Sequence, residues 1–237
     1  ALRFDGTDDY LRADAVAAEL TNADAYTMSA WVRPTNTDTG QRGIVAFHTG
    51  SGGNKTMLFY RDGRFAYYDP GTGYQESATT YAPGAWHHVV ATVDASDNGT
   101  LYVDGRAEAT FNTDVRPEAG DRFSIGQEWD GTTASDFFEG QIDEVRIWAA
   151  ARTATEVCAS TYQTVPPGSN ELAAYYRFDA AQASQRLDES HAGIQAYDLA
   201  QGLDASFEGN LQWVASGARL GQASVVVNAG NTASLGP

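Results

Sequence analysis

Through residue 148 the chain alternates short runs of β-branched and aromatic residues with clusters of Gly, Asn and Asp. Successive side chains on a strand project to opposite faces, so these runs predict half-buried strands. They fall at 1–4, 26–33, 43–48, 55–61, 64–68, 86–94, 100–103, 106–110, 122–126 and 140–148. Asp62-Gly63 and Asp104-Gly105 each separate two alternating runs. Both residues of such a pair tolerate positive φ, which predicts two tight hairpins. Thr153 and Glu156 have the spacing of a capping box, which predicts a short helix ending near residue 161. The run Val165-Pro166-Pro167-Gly168 then breaks the chain. A further strand follows at 172–179, and 180–237 is alanine-rich, glycine-punctuated and weakly periodic. The pattern predicts an all-β sandwich of two antiparallel sheets with one short helix. Residues 1–157 form the sandwich, 158–170 the helix end and linker, and 171–237 a strand plus connector packed on the same body.

Composition narrows the function. The 237 residues are 42% hydrophobic, enough for a large core, and carry 31 Asp and Glu against 15 Lys and Arg, a formal net charge of −16. That balance opposes binding by phosphate neutralisation and argues against a nucleic-acid partner. No apolar run approaches the roughly 18 residues of a membrane helix, so membrane insertion is not expected. The chain starts at Ala1 without a charged, apolar leader and reads as a processed or excised piece. The single cysteine, Cys158, is expected to be a small buried hydrophobe on the helix. Lys55 is the only lysine, and Asp outnumbers Glu by 20 to 11. Such a surface suits high salt, where self-repulsion is screened; an ordinary acidic secreted protein is the alternative.

Several motifs, taken in order, resemble one family. They are 1–6 (ALRFDG) with Asp9 and Tyr10, Ala30-Trp31-Val32, Trp86-His87-His88-Val89, 101–105 (LYVDG), Ile125-Gly126 and 138–148 (FEGQIDEVRIW). Together they resemble the laminin-G-like jelly-roll domains of the concanavalin A-like lectin/glucanase superfamily, in the form common in bacterial secreted proteins. The resemblance implies a calcium-stabilised, non-catalytic module, extracellular or at the cell surface. It implies recognition of a glycan or a surface protein within a larger multi-domain, adhesin-like chain. A spacer with no ligand beyond its cation is the alternative.

The candidate cation ligands are Asp5, Gly6, Asp8 and Asp143, with Asp9 and Glu144 nearby. First and last strands of a sandwich are often neighbours, so carboxylates distant in sequence can converge. Strict alternation would place Asp143 with Val145 and Ile147 on the core face, where a bare carboxylate needs a cation or donors. A hard oxygen-ligated ion such as Ca²⁺ meets that need, and a structural calcium is what the resemblance implies; backbone amides meet it equally. His87 and His88 are adjacent on a strand and cannot share one zinc. Tyr67, Tyr68, Tyr74 and Trp129 lie in or beside turn-rich stretches with Asp, Asn and Gln. Flat rings beside polar groups suit sugar recognition, so these four are the candidate ligand-binding residues. Glycoside hydrolases share the fold, and Glu139 with Asp143 is the one pair to consider. The segment lacks the Glu-x-Asp-x-x-Glu pattern of the related glucanases, so no catalysis is expected.

Overall fold

The computed structural model describes residues 1–36, 40–166, 169–178, 195–196, 205–209 and 211–214. Two large antiparallel sheets face each other, as the alternation predicts. In the first sheet the order is β10 (Arg106–Asn112), β9 (Asn98–Val103), β8 (His87–Val93), β3 (Tyr26–Pro34), β14 (Glu139–Trp148), β1 (Leu2–Asp5) and β18 (Gln212–Trp213). β15 (Leu172–Tyr176) pairs with the far half of β14, past the end of β1. In the second sheet the order is β16 (Gln195–Ala196), β17 (Ala205–Glu208), β2 (Tyr10–Arg12), β11 (Arg122–Ile125), β4 (Gln41–His48), β5 (Asn54–Arg61), β6 (Arg64–Asp69) and β7 (Gly73–Glu76). First and last core strands are neighbours, and segments after residue 170 add to both sheets.

The core lies between the sheets. Leu2, Phe4, Met28, Val32, Val89, Leu101, Ile142, Val145 and Ile147 meet Leu11, Val45, Phe47, Leu58, Phe65, Phe123 and Ile125 in one cluster. Each such side chain stabilises the fold by about 1.5–3 kcal/mol when fully buried. Both Asp-Gly pairs form the expected turns, with φ of 48° and 75° at Asp62-Gly63 and 52° and 78° at Asp104-Gly105. The helix α2 (Ala154–Thr161) begins with both halves of its capping box made, Thr153 receiving the Glu156 N–H and Glu156 receiving the Thr153 N–H.

Several features depart from expectation, among them β2 and β7, which lie outside the runs that predict strands. A second short helix, α1 (Ala15–Glu19), follows β2; its N-cap residue Asp14 makes no cap bond. Asp14 instead accepts from Phe123 N–H and from Arg12, which explains why no capping signature marks it. A hairpin of three-residue strands, β12 (Glu128–Asp130) and β13 (Thr133–Ser135), lies where the sequence reads as a loop. Strand β14 carries a bulge, since Asp143 pairs with Trp31 and Arg146 with Ser29, so two residues of β14, Glu144 and Val145, oppose one of β3, Ala30. The extra residue is accommodated with Glu144 at φ 51°, and it resets the alternation.

Candidate functional site

The two outer faces of the sandwich are built differently. On the first sheet α2 and the segment behind it close the face. Trp31 donates its indole N–H to the Thr161 carbonyl (2.9 Å), and His88 pairs with the Thr161 hydroxyl (3.2 Å). Arg146 bonds the Ser160 and Gln163 carbonyls and pairs with Glu144 at 2.8 Å, while Tyr175 donates to the same carboxylate. Burial drives the His88 pKa down to about 3, so the ring is neutral there.

On the second sheet the strands are apolar on both sides. In β5, Leu58 and Tyr60 enter the core, whereas Met57 and Phe59 join Ala46 and Ala66 in a separate cluster on the outer face. Tyr68 and Tyr74 pack on that cluster and are half-exposed. Cross-strand register sets them opposite each other, with ring centroids 4.7 Å apart. The turn joining them is held by Asp69, which accepts from the Gly71 and Thr72 amides and the Thr72 hydroxyl. The Arg61 guanidinium lies 4.1 Å from the Tyr74 ring centre. Burial pushes the Tyr74 hydroxyl up to about 12, so it stays a neutral donor.

The β12–β13 hairpin stands beside this ledge. Its cross-strand pairs put Glu128 with Ser135 and Trp129 with Ala134, so Glu128 and Trp129 face opposite ways. Trp129 meets Tyr10 edge-on at 5.6 Å and lies under Arg122 (4.9 Å) and Arg12 (5.5 Å). Glu128 turns to β4, with one oxygen accepting from Ser135 Oγ (2.6 Å) and the other 3.6 Å from His48 Nε2. Backbone contact is close: a Cβ on Gly43 would lie 2.6 Å from the Gln127 carbonyl carbon, which fixes glycine at that position.

The four candidate ligand-binding residues divide. Tyr68 and Tyr74 form the ledge. Tyr67 does not join them; it is fully buried in the core, bonded to the Tyr26 hydroxyl (3.0 Å) and stacked on Phe111 at 4.1 Å. Its parity explains this, because Tyr67 shares a face with Phe65. Trp129 is 5% exposed and serves to dock the hairpin. The residues missing from the sequence reading are Phe59, Arg61, Glu128 and Asp136. A visible signal was the run Met57-Leu58-Phe59-Tyr60, apolar on both faces, which marks a strand covered on both sides.

The candidate cation ligands also divide. Carboxylate oxygens of Asp5, Asp8 and Asp9 lie within 4.8 Å of one another. Asp5 accepts from Thr7 N–H and Asp9 from Asp5 N–H. An all-oxygen donor set fits Ca²⁺. Gly6 adjoins the cluster in sequence. Asp143 does not reach it: Asp5 pairs with Glu139 and Leu2 with Ile142, so Asp143 lies past the other end of β1. The bulge also pairs it with Trp31, whose ring lies on the outer face, rather than aligning it with Val145 and Ile147. Asp143 accepts from Glu144 N–H (3.1 Å) and lies 3.5 Å from the Ala1 nitrogen, so its burial is met by protein donors. The same register separates Glu139 from Asp143 by four residues, about 13 Å of strand, too far for paired-carboxylate hydrolysis. Glu139 instead binds Thr35 and Asn36. His87 and His88 face opposite ways, His87 toward Tyr81 and Asp104 and His88 toward Trp31. Cys158 is exposed, not buried.

Among the described residues no helix is long and apolar enough to cross a membrane. Comparison with curated proteins gave no match. Among solved structures, the chain is similar to a protein of Bacteroides ovatus described as a candidate carbohydrate-binding protein, with TM-score 0.62 and 16% identity over 89% of this chain. It spans 58% of that protein's length. It is also similar to a pentraxin of Limulus polyphemus (TM-score 0.54, 19% identity, 66% of this chain and 79% of that one). A third similar structure is the CBM40 module of a Ruminococcus gnavus sialidase bound to α2,3-sialyllactose (TM-score 0.52, 12% identity, 67% and 96%). At these identities the likeness is one of fold. The family model of laminin-G-like domains matches residues 5–158, and with two facing antiparallel sheets the chain belongs to the concanavalin A-like lectin/glucanases superfamily.

Proposed function

We propose that this chain is a non-catalytic carbohydrate-binding module that takes an oligosaccharide on the outer face of its second sheet. The observation supporting this reading is the half-exposed Tyr68–Tyr74 pair, backed by Phe59 and flanked by Arg61 and the hairpin. A sugar stacks its C–H face on such rings, and its hydroxyls meet charged and amide groups at the rim. Similar folds in proteins described as carbohydrate-binding support the same class. Calcium at Asp5, Asp8 and Asp9 stabilises the fold in this reading, without Asp143, because those three side chains alone converge. The module works outside the cell or on its surface, as one part of a larger chain. The test is a glycan array of neutral and sialylated oligosaccharides, probed with wild type and Tyr74→Ala in the presence of calcium. Binding lost in the variant supports the reading; binding unaffected by the substitution rejects the ledge. The spacer reading is favoured by one observation, the burial of Tyr67 and Trp129, which removes two of the four rings from the surface. An array with no signal under any condition would decide for it.

A further inference from the structure

The β12–β13 hairpin is small for the cover it provides. Each strand has three residues, and the pair is held on the sheet by Trp129 on one side and by Glu128 on the other. Glu128 is 3% exposed and has no cation at hydrogen-bonding distance. Its neighbour on β4, His48, accepts the Trp129 N–H at Nε2 (3.3 Å), which assigns the ring proton to Nδ1 and leaves the imidazole neutral. The other charged groups around the hairpin are already engaged. From β4 Arg42 bonds the Phe137 carbonyl; from β5 Arg61 lies over Tyr74 and near Glu76; from β11 Arg122 lies over Trp129. Asp130 and Asp136, from the hairpin and its exit, add negative potential at Glu128, and Tyr74 on β7 is neutral. A carboxylate in this position is buried, unpaired and repelled by its own hairpin. A carboxylic acid in the same position carries no charge and retains the Ser135 hydrogen bond.

We propose that the β12–β13 hairpin is a proton-gated flap, docked on the second sheet while Glu128 is protonated and released from it when Glu128 is ionised. The flap is one wall of the Tyr68–Tyr74 ledge, so the gate regulates sugar binding there; that consequence rests on the carbohydrate reading, whereas the flap itself does not. Burial, with repulsion from Asp130 and Asp136 added, raises the Glu128 pKa from 4.5 to about 7. A released hairpin returns Glu128 to water and its ordinary value. The docked state therefore holds the proton more tightly. The Glu128 contribution to docking is strongest below pH 4.5, weakens by up to tenfold per pH unit between about 4.5 and 7, and levels off above that. His48, held down to about 4 mainly by burial, is neutral in the docked state through most of that interval and gives Glu128 no counter-charge; its own depressed value acts with the opposite sign, so exposure of its ring on release offsets part of the Glu128 effect below pH 6.5.

The test follows the indole N–H resonance of Trp129, assigned by its loss in Trp129→Phe, in the full chain between pH 4.5 and 8.5. In wild type it is expected to shift with a midpoint between about 4.5 and 7 and to approach the resonance of Gly43→Ala at high pH. In Gly43→Ala the added Cβ forces the hairpin away from the sheet at every pH. In Glu128→Gln, which keeps the shape and removes the charge, the resonance is expected not to move toward the Gly43→Ala position as pH rises. A wild-type resonance that does not move, or a Glu128→Gln resonance that moves as wild type does, overturns the flap. A glycan array run at pH 5 and 8 separates the two readings. Signals stronger at pH 5 than at pH 8 in wild type, with that advantage lost in Glu128→Gln, support the gate on sugar binding. Silence at both values with Trp129 titrating as expected overturns the carbohydrate reading and leaves the flap standing.

Discussion

The two outer faces of this sandwich receive similar residues and use them oppositely. On the first sheet the buried charges are paired and roofed, with Arg146 bonded to Glu144 and to two carbonyls beneath α2. On the second sheet the roof is a six-residue ladder, the aromatic rings Tyr68 and Tyr74 are half-exposed, and the buried Glu128 has no ion-pair partner at hydrogen-bonding distance. A face whose charges are paired and covered presents few of them to a ligand. A face with open rings and an unmet carboxyl has stability in reserve to exchange for binding, which is where function concentrates.

Substitutions can break this contrast in order of size. Arg146→Ala leaves Glu144 buried beside Tyr175 with the more distant Arg177 guanidinium (3.6 Å) as its remaining cation, and is expected to cost about 3–5 kcal/mol in denaturant unfolding. A much smaller loss would mean that the first face is less tightly closed than its hydrogen bonds imply. Calcium at 100 times its Kd is expected to raise stability by about 2.7 kcal/mol, read as a melting-temperature shift absent with magnesium. Asp8→Ala is expected to abolish that shift and Asp143→Ala to preserve it, although the latter lowers stability in its own right. On the second face, Glu128→Gln is expected to stabilise by about 2 kcal/mol at pH 8, converting its raised pKa at 1.4 kcal/mol per unit with allowance for relaxation. The gain over wild type should be near zero at pH 4.5, grow to pH 7 and stay level beyond, because the charge that is removed exists in the docked state only there. His88 and His48 act with the opposite sign in both proteins. Their depressed values mean that stability falls as pH drops below 6.5, and they cancel when the two melting curves are subtracted. The smallest effect is Thr153→Ala, about 1 kcal/mol from the lost cap of α2, with sugar binding unchanged.

Much of the fold was legible because local and global signals agree. The Asp-Gly turns require positive φ that few other pairs accept, the capping box satisfies free amides at a helix start, and both stand at the predicted residues. What escaped was set by tertiary contact. The β12–β13 strands are too short for a period to show, and they exist because Trp129 finds Tyr10 and two guanidinium groups. The bulge at Asp143–Glu144 inserts one residue and reverses the parity from which an inward Asp143 was expected. Half of the candidate ligand site was visible as Tyr68 and Tyr74. Tyr67 has turn-rich surroundings that point to the surface, but its alternation with Phe65 places it in the core. Glu128 and Arg61 gave no signal of their own, since a single charge in a variable stretch reads as solvated.

The central claim, that the Tyr68–Tyr74 ledge of the second sheet binds carbohydrate, is tested most directly by measuring the affinity of wild type, Tyr74→Ala and Arg152→Ala for the strongest array sugar by calorimetry. Arg152 is the control, lying over Trp148 on the first sheet. The account predicts a loss of about tenfold or more for Tyr74→Ala, as removal of one stacking ring entails, and none for Arg152→Ala. Equal affinity in wild type and Tyr74→Ala, or a loss confined to Arg152→Ala, would contradict it.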